Sequence, residues 1–157
     1  MSTAGLHLEV ANNFLALEPH LVERVKAAVA GMVPAVHVLT SAELADVKEQ
    51  AQITPAVHVI YAGYRVAEAA GTKWRLVHKW LAVAAVRNVA NSKSGEAARR
   101  DAGVLATKAA MALAGAQIPG ATRPLEMVTP PAPRYASGFQ YLPSAFEAET
   151  VFIKPQP

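Results

Sequence analysis

Cysteine is absent from the 157 residues, which excludes disulfides, thiolate metal ligands and a cysteine nucleophile. A cytosolic setting is the natural expectation for such a chain. No apolar run approaches the ~18 residues of a membrane-spanning helix, and much of the 52% hydrophobic content is alanine. Met1 to Ala16 lacks a basic start followed by an apolar block, so no signal peptide is expected. Charge is sparse as well: the net value is +3 and the basic residues are scattered, whereas a dedicated nucleic-acid binder gathers them in a stripe or cluster.

Catalytic signatures are missing too. There is no G-x-x-x-x-G-K-[ST], no G-x-G-x-x-G after a strand, no G-x-S-x-G and no H-E-x-x-H. Neither a catalytic, a metal nor a cofactor site is expected. His58 and His78 fall on strands that pair, but a turn centred near Ala70 and Gly71 sets 58 across from about 83 and 78 across from about 63. They are therefore distant and on opposite faces, which argues against a shared metal. His37, between Val36 and Val38, reads as a structural histidine. Glu147 and Glu149 alternate with Ala148 and Thr150 and share the side opposite Phe146 and Phe152, the pattern of a solvent-facing strand side. Ser41, Ser137 and Ser144 sit among turn and cap neighbours, with no base identifiable for any of them.

What the chain does have is a stretch of strand character from Pro55 to Asn88. Val57, Val59 and Tyr61 alternate with His58, Ile60 and Ala62; Trp74, Leu76, Trp80, Ala82, Ala84 and Val86 then take up the same period. This predicts a hairpin with its turn in Glu68 to Thr72 and arms of roughly a dozen residues, about twice the usual strand. Near Val57 and Val83 both faces are apolar, as in strands covered on both sides. Towards the turn, Tyr64, Arg65, Glu68, Lys73, Trp74, Arg75, His78 and Lys79 take over. That end is either a solvated tip or a docking element for another subunit, and its aromatic and arginine content favours docking.

The rest of the chain supplies a body for this hairpin. Met1 to Ala16 is read as an N-terminal arm and 17–157 as one domain. From Glu18, with Pro19 in the first turn, Leu17, Leu21, Val22, Val25, Ala28 and Val29 recur at helical spacing until Gly31 and Pro34. Ala35 to Leu39 reads as a short strand, and Thr40 with Glu43 as a capping box opening a short helix from Ser41 to about Gln50. Ser92 or Ser94 can cap a long helix from about Glu96 to Ala114. Leu125 to Thr129 reads as a strand, Pro130 to Pro133 as an extended linker, and Ala145 to Ile153 as the last strand. The order predicts an α+β fold: a mostly antiparallel sheet of four or five strands with a long hairpin, and two main helices on one face.

The blocks Ile53 to Tyr64, Trp80 to Asn88, Arg123-Pro124-Leu125 and Ser137 to Glu147, in this order, resemble the tail terminator proteins of tailed bacteriophages, including those of Mu-like prophages. The resemblance covers about Leu21 to Phe152. It implies a structural virion subunit of a ring, typically of six copies, at the head-proximal end of the tail tube. There it stops tube polymerisation and presents the surface that joins tail to head. The implied partners are copies of itself, the tail tube protein and a head-completion or connector protein, with DNA only in passage through the lumen and no membrane. Assembly in the host cytoplasm follows.

A ring needs two different, mutually complementary edges. The hairpin and the segment Thr129 to Gly138 are the candidate edges, and Tyr64, Arg65, Lys73, Trp74 and Arg75 the candidate interface residues. Two other classes fit the same residues: a neck or head-completion subunit, and a small cytosolic enzyme or ligand-binding domain with a site built from scattered residues.

Overall fold

The computed structural model describes residues 8–40, 53–87, 94–136 and 138–155. Its elements are α1 (Glu18–Val29), β1 (His37–Thr40), β2 (Ala56–Ala70), β3 (Lys73–Arg87), α2 (Ser94–Leu113), β4 (Glu126–Val128), β5 (Arg134–Ala136) and β6 (Phe139–Ile153). A further helical turn covers residues 8–11. One mixed sheet runs β1-β2-β3-β6-β4, with β5 also paired to β6; only the β1–β2 pair is parallel. This is the expected α+β architecture. The short helix expected from Ser41 to Gln50 and the loop Asn91 to Lys93 lie outside the described residues.

The hairpin forms with arms even longer than its sequence pattern predicts. Only Gly71 and Thr72 separate β2 from β3, and the left-handed φ of 62° at Gly71 suits a two-residue connection. Strand β6 starts at Phe139, six residues before the expected Ala145, because Pro143 does not interrupt it. The β3–β6 register is continuous from Lys73↔Ile153 to Arg87↔Phe139. In that register the backbone groups of Glu149 and Ile153 face away from β3, towards Thr122 and Asn12. Pro143 has the same parity, so its nitrogen faces the outer edge in the gap between the pairings of β5 and β4. A proline is tolerated there since no ladder hydrogen bond is lost.

Both helices cover one face of the sheet. Leu21, Val25 and Val29 of α1 and Ala102, Leu105, Ala109 and Leu113 of α2 bury against Val57, Val59, Trp80, Ala82, Ala84 and Phe146. Alanines alternate with leucines along the α2 stripe, and the small side chains let the helix lie close to the sheet. Arg24 Nε donates to the Ala112 carbonyl at 3.0 Å and ties the helices together. On the opposite face a smaller cluster, Ala85, Phe139 and Tyr141 with Val83, lies near the start of β6.

Phe146 and Trp80, paired across β6 and β3, are the largest fully buried side chains. Phe146→Ala is expected to cost about 3–5 kcal/mol, a large fraction of the roughly 5–15 kcal/mol by which a domain is stable. The urea unfolding midpoint measures it.

Candidate functional site

The core ends about halfway along the hairpin, and the distal half has two dissimilar faces. Strand β3 alternates regularly: Trp74, Leu76, His78 and Trp80 point to the helix side, Lys73, Arg75, Val77 and Lys79 to the other. Strand β2 does not. Its pairing shifts by one residue between Tyr61 and Tyr64 and again between Val66 and Glu68. The first bulge includes Gly63 at φ 97°, a conformation that costs a side-chain-bearing residue strain. Its consequence is that Tyr61 and Tyr64, three apart, share the helix side. The second bulge sends Glu68 to the opposite side, across from Arg75. The unbulged register placed 78 opposite 63; the bulge makes Tyr64 its partner.

On the helix side the distal face is aromatic. Phe14, from the segment before α1, packs on Tyr64 at 4.8 Å and on Phe152 at 5.9 Å between ring centroids, and Trp74 meets Phe152 edge-on at 6.1 Å. Asn12 holds that segment in place: its side-chain amide donates to the Ile153 carbonyl at 2.7 Å and its side-chain oxygen accepts from Ile153 N at 3.0 Å. It thereby stands in for a strand neighbour. Phe14, Tyr64, Val66, Trp74, Leu76 and Phe152 line a cleft of about 240 Å³. Tyr64 is 47% and Val66 55% exposed.

Between this cleft and the core runs a polar cross-link over three strands. Tyr61 Oη lies 2.7 Å from His78 Nδ1, and His78 Nε2 lies 2.8 Å from Thr150 Oγ1. His78 is 2% exposed, so the charged tip expected at this position begins only beyond it. Burial pushes the His78 pKa below its ordinary 6.5 and does the same at His58. Burial, with the neighbouring Tyr64 phenol adding to it, raises Tyr61. His58 lies on the other side, opposite Val83, and its Nε2 has no hydrogen-bond partner among the described residues. The two histidines are thus on opposite faces, as the register requires. His37 is exposed at the start of β1 rather than built into the core.

The other distal face is charged, and it revises the reading of Glu147 and Glu149. They do lie opposite Phe146 and Phe152, but not as a plain solvated side: their side chains are only 28% and 16% exposed. Glu147 meets Arg65 at 3.5 Å; Glu149 meets Arg75 at 3.8 Å and Arg123 at 4.0 Å and accepts from Thr122 Oγ1 at 2.8 Å. Arg75 also pairs with Glu68 at 2.6 Å, and Arg123 with Glu126 at 2.7 Å. Arg65, Arg75, Arg123, Glu126, Glu147 and Glu149 border an open cavity of about 260 Å³. Every arginine here has a carboxylate partner, so the face is a mixed network and not a basic stripe. Ser144 is likewise no turn residue: it lies in β6 and donates to the Ala82 carbonyl at 3.3 Å.

The five candidate interface residues are therefore brought to one ribbon but divided between its sides. Tyr64 and Trp74 belong to the aromatic face; Arg65, Arg75 and Lys73 belong to the other. Phe14, Val66, Arg123, Glu147 and Glu149 join them. Sequence reasoning missed these because Phe14 and Arg123 reach the ribbon from distant segments, and the bulges displace the simple alternation. The one local signal was Gly63, a glycine inside a strand pattern.

Residues 10–156, nearly the whole chain, match the protein family described as Phage tail terminator protein. No curated protein matches the sequence.

The two buried histidines fix a pH dependence. The unfolded chain takes up their protons near pH 6.5, while the folded chain resists to lower pH. In that window the unfolded state binds more protons, and stability falls as pH drops. The unfolding midpoint is expected to change little from pH 8 to 7 and to decline below 6.5. His78→Gln, which keeps a donor and an acceptor but cannot charge, should show a shallower decline in the same urea titrations; an unchanged slope would remove His78 from the account.

Proposed function

This chain belongs to the phage tail terminator family, a family of phage tail structural proteins, and from that membership we propose that it forms a ring, of six copies, capping the head-proximal end of the tail tube. The ring stops tube polymerisation and offers the surface that joins tail to head. Its partners are its own copies, the tube protein below and a head-completion protein above, with DNA passing through the lumen.

The observation that carries this reading is the distal ribbon. Beyond Val59, β2 has no strand neighbour on its outer edge among the described residues, yet it carries exposed Tyr64 and Val66 there. An edge of that length invites another chain. The two bulges blunt it against open-ended strand pairing, which favours docking by side chains into a closed ring over growth into a fibre.

In light scattering the chain is expected to run as an assembly of six, with a central hole in particle images, and to arrest elongation when added to polymerising tube protein. Rings that leave tube growth unaffected would refute the capping role. Arg65→Glu combined with Arg75→Glu is expected to give a folded monomer with a lowered urea midpoint, since both arginine side chains are largely exposed while Glu147 and Glu149 are left beside like charges. An unchanged oligomer would take these two arginines out of the interface.

A further inference from the structure

At the opposite end of the sheet from the hairpin turn lies a second apolar surface. Where α1 gives way to β1, and β3 to α2, a cleft of about 350 Å³ opens between Val33, Pro34, Pro55, Arg87, Asp101 and Val104. Val33 is 95% exposed and Val104 53%. Asp101 and Arg87 stand at this cleft with no ion-pair partner among the described residues. An apolar cleft with an acid and a base left unpaired is a surface shaped for something of matching charge.

The hairpin tip carries matching parts on its two faces. Tyr64, Val66 and Trp74 present apolar area on one, and Lys73, on the other, has no ion-pair partner among the described residues. One copy cannot set its own Lys73 in its own cleft: Lys73 and Arg87 are the two ends of the fifteen-residue β3, on the order of 50 Å apart at ~3.3 Å per residue. We infer that the cleft of one copy receives the hairpin tip of the next, with Lys73 set against Asp101. The contact is heterologous, one end of the chain against the other end of its neighbour, which is the geometry that generates rings. This assignment rests on the ring reading and names the two surfaces that close it.

Charge exchange tests it. Lys73→Glu and Asp101→Lys, both at exposed positions, are each expected to weaken assembly at least tenfold in sedimentation velocity, with circular dichroism unchanged. The chain carrying both substitutions, and an equimolar mixture of the two single variants, should each recover assembly to within about threefold of the natural sequence, because every tip then meets a cleft of opposite charge. Single variants that assemble normally, or a folded double variant that fails to recover, would overturn the pairing and leave the ring reading intact. A natural chain that stays monomeric throughout would overturn both.

Discussion

The structure depends on β3 being paired along its whole length. Each of its fifteen residues has a partner on β6, and most have one on β2. A two-stranded hairpin of this length would be marginal in water, whereas three strands with a covered face are self-supporting. The third strand therefore lets the ribbon extend past the helices as a rigid element. Near the body it is held by Trp80 and Phe146 under α1 and α2. Farther out it relies on the Tyr61–His78–Thr150 cross-link and on Phe14, anchored through Asn12.

The bulges in β2 give that rigid element two characters. Without the first, Tyr64 would fall on the charged side and Arg65 on the helix side; without the second, Glu68 would face away from Arg75. With them, the aromatic residues gather on one side and an arginine–glutamate network on the other. The same irregularity that sorts the side chains also spoils the open edge for indiscriminate strand pairing.

Much of this was legible in the residues. The stripe Leu21, Val25, Val29 announced α1, the alternation around Val57 and Trp80 announced the hairpin, and the block order pointed to the family. The full extent of β6 was not legible, because Pro143 reads as a stop unless one knows that its nitrogen faces an unpaired edge. Nor was β5, three residues that are a strand only because β6 lies beside them. The short helix expected after Thr40 lies outside the described residues and adds nothing either way.

By itself the sequence determined what depends on near neighbours: helix spacing, period-two patterning, the glycine turn at Gly71, and the absence of any thiol or recognised catalytic motif. Tertiary structure alone decided what depends on distance in space. It buried His78 in a region whose composition reads as solvent-exposed, set Glu147 and Glu149 among Arg65, Arg75 and Arg123, and laid Phe14 on Tyr64. The physical reason is that one extra residue in a strand reverses every side chain beyond it. Whether such a residue bulges is settled by the partner strand and by what must pack on each face.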